Sequence, residues 1–492
     1  MKLFLEEAPH GGAPGAINLI LEQELSKLGW RLDPHHHYRL HGRDRLLPFA
    51  SAERVSRLEA APPADAAIYC DIGLAIRPPR RSIAAKNLVL FHGLVGEPGV
   101  WIANPLIDRY LALSDYVRDI ARAILTMPDW RRRRCLDPRA FHAVDAVVAP
   151  LPCVERPDGA DEAGGEAVPE AALRALAAGD VVGHAIQPRK ADWRAVFSIL
   201  LELNRLERGR GGGRRVRLVV FEGDYAALEQ SLAHGYPLDV GAARAALAEL
   251  GCGLGDLLIP SPALSQQALF DLFRKSAFGL AYNTFPEYFG FYVLESVFHG
   301  CPVYTNGIGN NRRSLPAGHG IDAAESPDMA FGGPGAYAPV ARRIVEGLAR
   351  PEGPRAACRL GRAYIERTYT RAAFAASLAD SLGRALAGDA PEPPAFDALR
   401  VALNPAVRAF DPEGGRVVSD YVSLRLDGRD LEIVHDVLER RAGEVHFEGA
   451  RLDRLQSLFT RGVLALEAPG PGAAAARARP AAPKRPGRRP RP

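Results

Sequence analysis

"FGLAYNTFPEYFGFYVLESVFHGCPVYTN", residues 278–306, sets two short apolar runs on either side of a helix-like segment. The run 278–283 reads as a buried strand that ends in a polar loop, 284–290. A helix follows from about Phe291 to His299, Gly300 ends it, and Pro302 blocks its continuation. Residues 303–305 open the next strand. Strands that are apolar on every position, separated by a helix, belong to a parallel sheet covered on both faces. Two glutamates, Glu287 and Glu295, fall in the loop and in the second turn of the helix. Ligands of such sheets bind beyond the carboxyl ends of the strands, where both acids lie.

The same unit recurs outward from this stretch. Residues 2–5 read as a strand, followed by the Gly/Pro loop "APHGGAPGA" and an amphipathic helix, 17–28, closed by Gly29. Apolar runs return at 66–73, 87–93 and 143–152. Residues 110–125 read as a strand passing through Ser114 into a helix. After the polar break 155–169 the alternation restarts with "DVVGHAIQPRKADWRAVFSILLELNRLE" and "RRVRLVVFEGD". The expected fold is α/β: two Rossmann-like domains facing one cleft, 1–155 and 156–387, the second carrying return helices at 339–350 and 355–387. Residues 399–468 form a small α+β unit: a strand, a Gly-Gly turn, further strands, then helices at 430–443 and 452–465. Residues 469–492 are an Ala/Pro/Arg-rich tail, expected to be disordered.

The chain has 492 residues, 47% hydrophobic and 24% charged, which is enough for more than one sizeable core. Its net charge is +4, but seven tail cations (Arg477, Arg479, Lys484, Arg485, Arg488, Arg489, Arg491) leave 4 − 7 = −3 for the rest. That excludes a specific nucleic-acid surface on the body; the tail reads as a solvated one. Six cysteines without a CxxC pair point to a reducing, cytoplasmic setting. No apolar run is long enough to span a membrane, and no signal peptide opens the sequence. "HHH" at 35–37 reads as a polar loop, because consecutive residues cannot all face one ion. The "RRRR" run at 131–134 reads as a solvated face or a grip for an anionic acceptor.

The chemistry of the opening stretch is that of a nucleotide sugar. Amides near Phe289, Gly290 and Phe291 at a helix start favour a phosphate, and Gly290 lets it approach closely. Carboxylates accept hydrogen bonds from neighbouring hydroxyls, one acid for a sugar and one for a ribose. "EYFGFYVLE" resembles the E-x7-E pattern of retaining GT-B glycosyltransferases, glycosyltransferase family 4. "SVFHGCPVYTNGIGNNRRSL", "FHG", "YLALSDYVRD" and "VVGHAIQPRKADWRAVFSILLEL" look like further stretches of that family, over roughly residues 1–387.

The resemblance implies a transfer of a hexose with retained anomeric configuration from a UDP- or GDP-linked donor, without metal or resident cofactor. Glu287 would bind the donor sugar and Glu295 the ribose. Arg189 and Lys190 would neutralise the diphosphate, Gly12 would approach it from the first domain, and His92 would reach the sugar near the reacting carbon. The chain departs from the family at His184, where an arginine is usual, at Tyr288 in "EYFG", and at Asn310 and Asn311 in place of a second glycine. Plainer roles stand beside these: surface acids on a helix start for the glutamates, a tight turn for Gly12, an ordinary strand end for His92, solvated charges for Arg189 and Lys190. The unit 399–468 looks like PqqD-type peptide-recognition winged helices, which implies a peptide or protein acceptor in place of a glycan or small molecule. Two alternatives stay open: a non-catalytic scaffold on the same shell, and a nucleotide-sugar epimerase.

Overall fold

The computed structural model describes residues 2–7, 13–36, 64–70, 80–94, 101–102, 104–154, 167–187, 190–211, 213–222, 240–262, 264–324, 326–331, 334–388 and 391–468. Gly12, Arg189, His37, most of the 155–169 break and the basic tail lie outside the described residues.

The first sheet holds β1 (Lys2–Glu7), β2 (Arg31–His36), β3 (Ala64–Cys70), β4 (Ala84–Phe91) and β5 (Arg109–Ala112). After an inserted hairpin, β6 (Pro128–Asp129) and β7 (Arg134–Cys135), it closes with β8 (Val144–Ala146). Its order is β2-β1-β3-β4-β5-β8 and every neighbouring pair is parallel. The second sheet holds β9 (Val181–Ala185), β10 (Val216–Val220), β11 (Leu258–Pro260), β12 (Gly279–Ala281), β13 (Val303–Thr305) and β14 (Ile321–Ala323). Its order is β11-β10-β9-β12-β13-β14, again all parallel. Every residue of β9, β12 and β13 is buried, as strands covered on both faces must be.

Helices provide that cover. On the first sheet α1 (Ala13–Lys27) buries Ile17, Leu21 and Leu25, and α2 (Asp115–Leu125) buries Tyr116, Val117 and Ile120 on the other face. On the second sheet α3 (Trp193–Gly209) packs Trp193, Phe197 and Leu200 on one face. Phe273 of α4 (Gln266–Lys275) and Leu294 of α5 (Phe291–Phe298) pack on the other. The helix α6 (Ala338–Ala349) lies beside α3. Two more, α7 (Glu352–Thr368) and α8 (Arg371–Ala387), are separated at Tyr369 because Thr370 caps a new helix through the Ala373 amide. The single helix expected at 355–387 is therefore two. Phe374, Leu378 and Leu382 of α8 share a core with Ile17 and Leu21 of α1, so the chain returns to the first sheet.

The last unit pairs β15 (Arg400–Leu403) with a terminal strand and forms a meander of β16 (Val407–Asp411), β17 (Arg416–Ser419) and β18 (Ser423–Arg425). Two helices follow, α9 (Gly428–Val437) and α10 (Gly449–Thr460), then β19 (Leu464–Glu467), which pairs antiparallel with β15. Residues 464–465 were expected to be helical, but Gly462 at φ +69° ends α10 and the apolar run 463–466 pairs instead. The expected helix at 430–443 stops at Val437. The ten-residue strand expected at 143–152 is three residues long. Of the 35–37 stretch read as a polar loop, His35 and His36 belong instead to the edge strand β2, where Pro34 is tolerated.

Candidate active site

Strand order in the second sheet reverses between β9 and β12, so the loops that leave these two neighbours diverge and open a crevice. Lys190 leaves β9 on one side of it and Glu287 leaves β12 on the other. The two loops are laced by backbone bonds: Asp192 N donates to Tyr282 O at 2.7 Å, and Thr284 N to Lys190 O at 2.9 Å. Across them Lys190 Nζ donates to Glu287 Oε2 at 2.9 Å, and Asn283 Nδ2 to the same oxygen at 3.4 Å. Both charged side chains are part-buried, which strengthens their attraction over that of a fully solvated pair.

The Glu287 backbone is held just as closely. It forms a parallel bridge with Gly309, and Asn310 N donates to Glu287 O at 2.6 Å. A Cβ on Gly309 would stand 2.2 Å from Glu287 O, so only glycine fits there. Gly290 caps α5 in the left-handed region at φ +95°, and no side chain caps the helix start. Among the described residues, the first-turn amides of α5 therefore have neither intrahelical acceptors nor a side-chain cap, which suits an anion. Asn311 abuts Gly290, its Oδ1 2.9 Å from where a Cβ would be, and both polar atoms of its buried amide lack a partner among the described residues. Asn310 Nδ2 donates to Phe289 O at 2.7 Å. Phe289 itself is buried against Phe291 and Tyr369, so it contributes its backbone and anchors the loop.

Glu295 sits one turn into α5 and is buried, with Gln266 Nε2 of α4 at 3.4 Å from its Oε1. Burial and then the Glu295 charge push the nearby Cys153 thiol well up. The two glutamates are thus held by different partners, one at the loop and one between α4 and α5.

His92 follows β4 in the first domain. Its Nε2 lies 2.7 Å from Asn18 Oδ1. The next residue, Gly93, touches the second domain: a Cβ there would be 2.6 Å from the Tyr288 ring. Ser114 Oγ also donates to Tyr288 O at 2.6 Å while capping α2 through the Val117 amide. Tyr288 therefore bridges the domains, and Glu287 and His92 are the residues that precede the two sides of this contact, Tyr288 and Gly93.

His184 is elsewhere. It is fully buried under α5, with Tyr292 Oη at Nδ1, Ser296 Oγ 3.2 Å from Nε2 and Cys301 Sγ 3.4 Å from Nε2. Burial depresses its pKa to about 3, so it is neutral packing and supplies no cation to the crevice. The arginine run also resolves. Arg131 pairs with Asp453 at 2.5 Å, joining the β6–β7 hairpin to the last unit, and Arg133 with Asp397 at 2.7 Å, just before that unit begins. Asn283, Asn306 and Asn18 were not singled out by their sequence, and Ser114 only as a helix start; a lone Asn or Ser carries no signal of a partner distant in the chain. Among the described residues no three His, Cys, Asp or Glu side chains are grouped to hold a metal ion.

The chain matches no protein-family model and no curated protein sequence. Solved structures do match its fold. The α,α-trehalose 6-phosphate synthase of Burkholderia multivorans is 13% identical over 78% of this chain and 99% of its own, at a TM-score of 0.50. The N-terminal domain of Candida albicans trehalose-6-phosphate phosphatase is 10% identical over 78% of this chain and 96% of its own, at 0.52. The Anabaena protein HepE, in complex with UDP and glucose, is 13% identical over 77% of this chain and 99% of its own, at 0.47. Two parallel sheets about one cleft, with the last long helix returned onto the first sheet, make this chain a GT-B fold.

Proposed function

We propose that the chain is a glycosyltransferase that moves a hexose from a nucleotide sugar to an acceptor, with retention and without a metal ion. The observation that carries this reading is the crevice at the β9–β12 switch point, where Glu287 meets Lys190 beside the uncapped start of α5. A diphosphate seated on the α5 amides and Lys190 would leave with its charge compensated by fixed donors, which need not reorganise during the reaction. Glu287 would accept hydrogen bonds from the sugar hydroxyls, and Glu295 from the ribose. His92, oriented by Asn18, would face the sugar from the first domain. For retention, the acceptor oxygen bonds to the anomeric carbon on the face from which the phosphate oxygen departs, and that oxygen takes the acceptor's proton. UDP and GDP are the nucleotides the family resemblance implies.

The acceptor in this reading is a peptide. Among the described residues β18 has β17 as its only neighbour in the meander, and its row of backbone groups can take an added strand. It begins at Ser423, which lines a cavity of about 250 Å³ together with Thr284, three residues from Glu287.

The test is transfer and binding by the full chain. A screen of UDP- and GDP-sugars by thermal shift should give one donor that raises the melting temperature. Glu287→Ala should then abolish transfer with the unliganded melting temperature kept. Full transfer by that variant, or no shift with any donor, overturns the reading. His184 gives a specific reason to keep the scaffold alternative, since the cation usual at its position is absent from the crevice; binding without turnover would favour it.

A further inference from the structure

The last unit, residues 399–468, is joined to the candidate site by two charged side chains that the proposed reaction does not use. Asp420 directly follows β17, and its side chain is fully buried. Arg312 Nη1 donates to both its carboxylate oxygens at 3.0 Å, and Arg408 Nε of β16 lies 3.2 Å from Oδ1. The same Arg312 Nη1 donates to Gly307 O at 2.9 Å and Gly309 O at 3.0 Å. Gly309 is the residue bridged to the Glu287 backbone. Asp420 thus aims the guanidinium that shapes the Gly307–Gly309 turn under Glu287.

Arg408 reaches the site by a second route. Its Nη1 donates to Asn306 O at 2.9 Å. Asn306 Nδ2 donates to Asn283 O at 2.8 Å, and Asn283 N lies 3.4 Å from Asn306 Oδ1. Asn283 in turn holds the Glu287 carboxylate. Both routes start on the β16–β17 pair and end on one acid, the first through its backbone and the second through its side chain. Pro405 O, at the entry to β16, accepts from Arg312 Nη2 at 2.6 Å and from Arg313 Nη2 at 3.2 Å, closing the same loop from outside.

We infer that the C-terminal unit is built into the donor site, and that Arg408 and Asp420 are positioning residues for Glu287. A buried charge pair is a poor source of net stability, but removing one partner leaves the other uncompensated, so such pairs hold geometry. The donor part of this inference rests on the function proposed above; the positioning part does not.

The experiment compares the full chain with Asp420→Asn, Arg408→Met and Arg408→Lys. A control, Asp436→Asn, removes the surface pairs with Arg440 and Arg451 in the same unit. Hydrogen exchange is followed without ligand, on peptides covering 283–290 and 307–313. Both segments should exchange about tenfold faster in Asp420→Asn and Arg408→Met, a change of ~1.4 kcal/mol in local opening. The control should match the parent, and Arg408→Lys should recover part of the protection by donating to Asn306 O. Dissociation constants for the UDP- or GDP-sugar bound by the parent should rise about tenfold in the same two variants. Unchanged exchange in both loops overturns the inference. Loosened loops in a parent that binds no nucleotide sugar overturn the proposed function and leave the positioning intact. If a variant melts as a whole, the Arg408→Lys to Arg408→Met difference in loop exchange decides, and equal exchange in these two overturns the inference.

Discussion

At the scale of single residues, His184 shows how far identity and environment can part. A histidine after a strand glycine gives no hint of whether it faces the crevice or the core. Here it is buried against Tyr292, Ser296 and Cys301 and held neutral, its pKa near 3. Unfolded, it would titrate near 6.5. Below that pH the unfolded chain gains a proton that the native ring refuses, so stability is whole above pH 6.5 and lost progressively toward pH 3. The loss is ~1.4 kcal/mol per pH unit. Burial pushes the neighbouring Tyr292 and Cys301 upward, so both stay neutral across this window. Between pH 7.5 and 5.0, urea unfolding should show His184→Gln losing about 2 kcal/mol less than the parent. Equal losses would mean that His184 is protonated in the native state. Glu287 and Gly290 are the opposite case: an acid in a loop and a glycine before an apolar octet were readable, because both needs are local.

At the scale of elements, legibility followed the strength of local signals. The α5 segment was found with its boundaries because Gly290, Gly300 and Pro302 frame it, and Ser114 was seen to turn a strand into a helix. β2 and β19 were missed because what makes them strands is a neighbour far along the chain, β1 for one and β15 for the other. Ser114 has a second task that no local pattern announces. Its oxygen accepts from the Val117 amide at 3.2 Å and its hydroxyl donates to Tyr288 O at 2.6 Å. Ser114→Ala should cost about 1 kcal/mol for the cap, and a further ~1 kcal/mol for the carbonyl left without its donor. Ser114→Asp keeps a capping acceptor but not the donor, so thermal melts should place it between alanine and the parent. An alanine variant as stable as the parent would show that neither bond matters.

At the scale of the whole molecule, the two sheets meet through a contact made possible by an absent side chain. The Tyr288 ring lies on Gly93, close to Tyr116 of α2 at 6.5 Å between ring centroids. Two sheets and a cleft were legible from alternation alone, but this closure was not, since glycine in "FHG" and tyrosine in "EYFG" are 195 positions apart (288 − 93). Gly93→Ala places a methyl 2.6 Å from the ring, and the ring must move away. The backbone of Gly93 is not in the left-handed region, so alanine itself is not strained there. Of the proposed donor contacts, Glu287, Glu295, Lys190 and the α5 amides belong to the second domain and should bind as before, while His92 faces the sugar from the first. What fails is the joining of His92 to Glu287, and misplacement of reacting groups by about an ångström can cost on the order of a hundredfold in rate. Gly93→Ala should therefore lower kcat at least ~10-fold with the donor Kd unchanged. Tyr288→Gly in the same chain removes the obstruction, so the double variant should recover part of the rate, a coupling that a double-mutant cycle reads directly. Independent effects of the two substitutions would place the working cleft away from this junction.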